Sequence, residues 1–112
     1  MDLQTKTEGN TIIVSISARL DAVTAPEYEK RIREMIDGGN SYFVVDFEQL
    51  DYISSAGLRA LLLTAKLLKE KDGKVCFANV KGNVRSVFDM SGFTGLFKME
   101  NSVAEALAVL AE

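Results

Sequence analysis

Histidine and tryptophan are missing from these 112 residues, and cysteine and proline occur once each. Without an imidazole the chain has no Ser/His/Asp or Cys/His catalytic arrangement and no histidine-liganded zinc. The lone Cys76 excludes an intrachain disulfide; inside the apolar run Val75 to Val80 it reads as a buried structural thiol, compatible with a reducing compartment. A dominant charge is missing too. Thirteen basic and sixteen acidic residues give a net charge of −3, with Lys and Arg scattered, so the electrostatic footprint of a nucleic-acid binder is not there. Long apolar runs are also lacking. The richest, Leu58 to Leu68, is broken by Arg59 and Lys66 and falls well short of the roughly 20 residues that span a bilayer, so no membrane association is expected. Met1 to Asn10 is mostly polar, without the basic start and apolar centre of an export signal, which makes the cytoplasm the expected location. What is present, 47% hydrophobic residues without a linker, repeat or low-complexity tract, suits one core and one domain over residues 1–112.

The elements follow from periodicity and punctuation. Leu3 to Glu8 and Thr11 to Ser17 read as two strands of a hairpin turned by Gly9 and Asn10. Thr24 and Glu27 have capping-box spacing, Pro26 falls in a first helical turn, and Tyr28, Ile32 and Met35 or Ile36 recur at helical intervals up to Gly38 and Gly39. Tyr42 to Phe47 is a buried strand and Glu48 to Ile53 a loop. Ser55 to Lys71 is a long helix with Leu58, Leu61, Leu62, Ala65 and Leu68 on one face. Val75 to Val80 is a further strand, and Asn83 caps a helix that Gly92 closes. Leu96 to Met99 is a short strand, and Ser102 with Glu105 starts a last helix carrying Val103, Ala106, Leu107 and Leu110. The order ββαβαβαβα predicts an α/β fold, a mixed sheet with right-handed parallel crossovers covered by helices.

Chemistry concentrates in Asp51 to Leu58, reading DYISSAGL, where a loop enters the long helix. One hydroxyl, most simply that of Ser54, serves as N-cap; that of Ser55 is then left without this duty and open to modification. Gly57 carries no side chain in the first turn, which would let another macromolecule approach the backbone beside Ser55. The same residues also suit a plain capped helix start. Ala56, Ala60, Leu63 and Leu67 form a second stripe, either an apolar docking surface beginning beside Ser55 or a face covered by a neighbouring helix. Asp46 ends its strand as the phosphoacceptor of a receiver domain does, but the acidic pair that would hold magnesium is not seen, so it reads as a loop or cap residue. Asp21, Glu48 and Asp51 read as a solvated acidic loop and not a metal site. No glycine-rich Walker loop with its Lys occurs, so the chain is not expected to phosphorylate itself, and neither enzymatic activity nor a cofactor is expected.

These segments resemble the STAS domains of the anti-sigma-factor antagonist family. The resemblance runs from Thr11 to Leu110 and is most specific in VVDFEQLDYISSAGLRALL, Val44 to Leu62. Aligned on Gly57 and Leu58, it places the family's phosphoacceptor at Ser55. Many members have Asp before that serine and Ser or Thr after it, where this chain has Ser54 and Ala56. LDAVTAPEY, Leu20 to Tyr28, resembles the loop whose acidic residue faces the partner, which implies that role for Asp21; the family often has Gly where Ala18 stands. VRSVFDMSGFTGLFKM, Val84 to Met99, resembles the third helix and last strand.

The resemblance implies a switch. Unphosphorylated members bind an anti-sigma factor that is also a serine kinase and so release a sigma factor; the kinase phosphorylates the antagonist and a serine phosphatase restores it. Ser55 would be the acceptor, with Asp21, Ser54, Ala56, Gly57, Ala60 and Leu63 as partner-binding positions. Two alternatives stay open: a constitutive STAS subunit of a transport ATPase or other assembly, with the serines acting only as caps, and a domain sensing a nucleotide or lipid at the helix tip.

Overall fold

The computed structural model describes residues 1–112, arranged as β1 (Asp2–Glu8), β2 (Thr11–Leu20), α1 (Ala25–Asp37), β3 (Tyr42–Asp46), β4 (Leu50–Ile53), α2 (Ser55–Glu70), β5 (Lys74–Ala78), α3 (Gly82–Met90), β6 (Lys98–Glu100) and α4 (Val103–Leu110). The sheet order is β1-β2-β3-β5-β6, antiparallel between β1 and β2 and parallel elsewhere, with β4 pairing in parallel against the far end of β2.

Alternation along the strands assigns the two faces. Ile12, Val14 and Ile16 of β2, Phe43 and Val45 of β3 and Phe77 of β5 join a cluster with Tyr28 and Ile32 of α1, Leu58 and Leu61 of α2 and Phe88 of α3. Their neighbours Ile13, Val44, Cys76 and Ala78 point the other way, against Ala106 and Leu110 of α4. Three helices therefore cover one side and one helix the other. The nine-residue α3 is anchored by aromatics: Phe88 meets Phe47 and Phe77 edge-on, with ring centroids 6.0 and 6.2 Å apart. Such pairs add about 0.5–1.5 kcal/mol each beyond burial. No helix is long and apolar enough to cross a membrane.

The expected mixed α/β architecture is found, with one strand more than the sequence pattern predicts. Leu50–Ile53, expected as loop, is β4. Two buried apolar residues flanking two exposed ones carry no alternation to read; the strand exists because β2 runs three residues past Ser17 and offers it an edge. Between the two pairings lies a bulge at Ala18, whose φ of 66° is left-handed and whose amide bonds the Gln49 carbonyl at 3.0 Å.

Other differences are local. Thr24 does not cap α1 with its side chain; its hydroxyl is spent on the Arg19 carbonyl, 3.0 Å, and on the Asp21 amide, 2.9 Å. Asn83 lies inside α3, which begins at Gly82 with Lys81 as N-cap. The last strand is Lys98–Glu100, and Leu96 before it is exposed. Leu62, expected on the buried face of α2, is 37% exposed.

Candidate functional site

Strands β2 and β4 end side by side, Leu20 opposite Ile53, and the Ser54 amide bonds the Leu20 carbonyl at 3.0 Å. That bond fixes where α2 begins. Ser54 is extended, φ −102° and ψ 176°, and its Oγ accepts from the Gly57 amide at 3.3 Å. Its carbonyl takes the Leu58 amide at 2.9 Å. Ser54 is thus the N-cap, half-buried and committed, whereas Ser55 opens the helix exposed to solvent with an Oγ that bonds nothing within the chain.

The loop after Leu20 is built around Asp21. One carboxylate oxygen accepts from the amides of Val23, 3.0 Å, and Thr24, 3.2 Å; the other takes Arg19 Nε at 3.3 Å. The Thr24 amide first, with help from Arg19, the Val23 amide and the Thr24 hydroxyl, holds the Asp21 carboxyl below its usual range against a weaker opposing effect of desolvation. The carboxylate thus closes the turn ahead of α1, whose first amides bond the Asp21 and Thr24 backbone carbonyls and no side chain. Arg19 also lies over the Tyr52 ring, 4.3 Å from its centroid. These contacts join the β2–α1 loop to β4, so Asp21, Ser54 and Ser55 share one end of the sheet.

Two of the expected partner-binding positions are not available to a partner. Gly57 is buried and faces inward: a Cβ there would overlap the Leu20 carbonyl oxygen and lie 2.8 Å from Ile53 Cγ1. The glycine admits the end of β2, not an outside macromolecule. Ala60 is 0% exposed. Thr64, one turn on, accepts from the Tyr28 hydroxyl of α1 at 2.7 Å and donates to the Ala60 carbonyl at 3.1 Å, so α1 closes over that part of the stripe. Burial raises the Tyr28 phenol far above its usual range and keeps it neutral. Ala56 and Leu63 remain half-exposed, and Leu67 packs partly against the core.

The other acids do not converge. Glu48 pairs with Lys81 at 2.8 Å, Asp46 accepts from the Glu48 amide and from Asn79 Nδ2 at 2.8 Å, and no three His, Cys, Asp or Glu side chains gather as a metal site would require. Asp46 is a loop cap. The clefts, of about 250, 110 and 310 Å³, do not reach Asp21, Ser54 or Ser55; Asp46 lines the third. Cys76 is fully buried, and that burial pushes its thiol up to about 11. The pattern did not single out Val23, 86% exposed beside Asp21, or Tyr52, 41% exposed three residues before Ser55. An apolar residue in a polar turn was the available signal for Val23; Tyr52 had none until β4 was known.

Comparison with known proteins places this geometry. A family model described as the STAS domain matches residues 2–106. A Bordetella bronchiseptica protein named as an anti-sigma factor antagonist, BtrV, is 37% identical over 97 residues, 87% of this chain and 84% of that protein. Among solved structures, a Thermotoga maritima protein described as an anti-sigma factor antagonist superposes with a TM-score of 0.93 at 14% identity, over 98% of this chain and 95% of its own. The Bacillus cell fate determinant SpoIIAA, solved in its phosphorylated form, gives a TM-score of 0.74 at 21% identity, over 96% and 97% of the two chains. At such identities the two structures speak for the fold.

Proposed function

The chain belongs to the STAS domain family, and we propose that it is an anti-sigma factor antagonist whose binding is switched by phosphorylation of Ser55. In this reading the unmodified protein, acting in the cytoplasm, sequesters an anti-sigma factor that is also a serine kinase, and a sigma factor is released. The kinase transfers the γ-phosphoryl group of ATP to Ser55 Oγ; the hydroxyl proton is lost and ADP leaves. A serine phosphatase hydrolyses the ester and restores the hydroxyl.

One observation carries the proposal: of two adjacent hydroxyls, Ser54 is spent as cap and Ser55 is exposed and unbonded. The relative named as an anti-sigma factor antagonist supports the general role. Asp21, Ser54, Ala56 and Leu63 serve as partner contacts, while Gly57 and Ala60 act from behind by seating the helix.

The physics of the switch is asymmetric. On the free protein a phosphate adds about 1.5 to 2 negative charges at a helix N-terminus, where free amides and the positive end of the dipole favour it. Against a partner shaped for a neutral hydroxyl, the same group must shed its water without a matching cation. A hundredfold loss of affinity needs only about 2.8 kcal/mol, within the reach of one desolvated charge. The fold survives and the complex does not.

Incubation with candidate serine kinases and ATP, followed by intact-mass measurement, tests the reading. One phosphate is expected on the wild type and on Ser54→Ala, and none on Ser55→Ala. Persistence in Ser55→Ala with loss in Ser54→Ala moves the acceptor by one residue. Tight partner binding with no phosphate on any variant overturns the switch and leaves a constitutive binding subunit.

A further inference from the structure

Arg59 follows Ser55 by four residues on α2, and both side chains are exposed. Residues so spaced share one helix face with Cβ atoms about 5–6 Å apart, and an acidic group one turn ahead of a cation is the better order for pairing. The guanidinium is uncommitted in the unmodified protein. The ion pairs are Lys6–Glu8, Arg19–Asp21, Lys81–Glu48 and Arg85–Asp89, none of them involving Arg59. Along the same solvent stripe the next residues are Leu62 and Lys66, so no carboxylate competes for it there.

Resting on the reading of Ser55 as phosphoacceptor, we propose that Arg59 is the intramolecular partner of the phosphate. Phosphorylation puts three acceptor oxygens one turn ahead of a planar fork of donors, the geometry in which guanidinium binds phosphate through two hydrogen bonds. Arg59 is a positioning residue: it engages the phosphate after transfer and takes no part in the transfer.

Two consequences follow for the switch. The modification withdraws two features from the docking face at once, the neutral hydroxyl of Ser55 and the free guanidinium of Arg59. It also holds the phosphate against α2's own surface. That placement favours the dianion, because the guanidinium interacts more strongly with two charges than with one.

Phosphoserine installed at position 55 during translation of the full chain tests the proposal without any kinase. The phosphorus resonance is followed through a pH titration in the wild type, Arg59→Ala, Arg59→Lys and Lys66→Ala, at low salt and in about 1 M NaCl, where screening collapses the interaction of exposed charges. A phosphoserine ordinarily titrates near pH 6. An exposed pair of this spacing changes proton affinity about twofold, so Arg59→Ala is expected to titrate about 0.3 pH unit higher than wild type at low salt. Arg59→Lys restores part of the difference, high salt removes it, and Lys66→Ala, three turns from the phosphate, leaves the midpoint in place. Equal midpoints in wild type and Arg59→Ala, or an equal shift in Lys66→Ala, overturn the proposal. The two readings fail separately: a low-salt shift without kinase transfer sinks the switch and keeps the pair, and transfer with equal midpoints does the reverse.

Discussion

Replacing Gly57 with Ala sets two effects of opposite sign against each other. Intrinsic helix propensity favours Ala over Gly by about 1 kcal/mol, and Gly57 lies in the first turn of α2. Tertiary packing opposes it. The added methyl would overlap the Leu20 carbonyl oxygen and stand 2.8 Å from Ile53 Cγ1 and 3.1 Å from the Leu20 carbonyl carbon. Backbone cannot swing aside as a side chain can, and the Leu20 oxygen is already held by the Ser54 amide at 3.0 Å. Relief therefore requires moving α2 off the end of β2 and stretching the bond that starts the helix. Overpacking of this kind costs about 1–3 kcal/mol and occasionally more. Because the clash is with backbone, the cost is taken at the upper end, about 3 kcal/mol; less the propensity gain of about 1, we expect a net loss of about 2 kcal/mol, corresponding to about 10 °C in Tm for a chain of this size. Urea unfolding followed by far-UV circular dichroism measures it, with an unchanged denaturant slope showing that the native state itself was destabilised. An unchanged or raised midpoint would refute the claim that Gly57 is there to admit β2 and, with it, the geometry that places Ser55.

The opposite exchange is expected at Ala18. Its φ of 66° costs an L-residue about 1–2 kcal/mol, part of which is returned through the unfolded chain, so Ala18→Gly should stabilise by about 0.5–1 kcal/mol in the same assay; destabilisation would show that the bulge is unstrained. Asp21 sets a pH dependence. Its folded pKa is depressed, so its contribution is fully present above its ordinary value near 3.8 and is lost as the pH falls through the folded one. Asp21→Asn should accordingly unfold at lower urea than wild type near pH 7, with the two midpoints converging in acid. A constant gap across that range would mean the carboxylate charge is not what holds the β2–α1 loop.

Much of this arrangement is local enough to be read along the chain. The Ser54 and Ser102 caps, the hairpin at Gly9 and Asn10 and the alternation of β2 and β3 depend on neighbours a few residues away, and they stand where the pattern puts them. The order of strands and helices then leaves few ways to bury both faces of the sheet. The candidate site was legible as a pair of adjacent hydroxyls at a helix start and an acidic residue in the loop after β2. The division of labour around it was less so. Thr24 and Asp21 both carry oxygen acceptors ahead of α1, and both are spent on the turn that Arg19 and the Asp21 carboxylate close together, so that neither side chain caps the helix.

By itself the sequence determined the main periodicities, the caps at Ser54 and Ser102 and the hydroxyl that the first of these leaves over, because each is set by the 3.6-residue or two-residue repeat and by side chains bonding their own backbone. Only the tertiary structure decided that Leu50–Ile53 is a strand, that Gly57 faces inward and that Ala60 lies sealed beneath α1. These properties belong to pairs of segments distant in the chain. A glycine that invites a partner and one that admits a strand look alike until the second segment is in place.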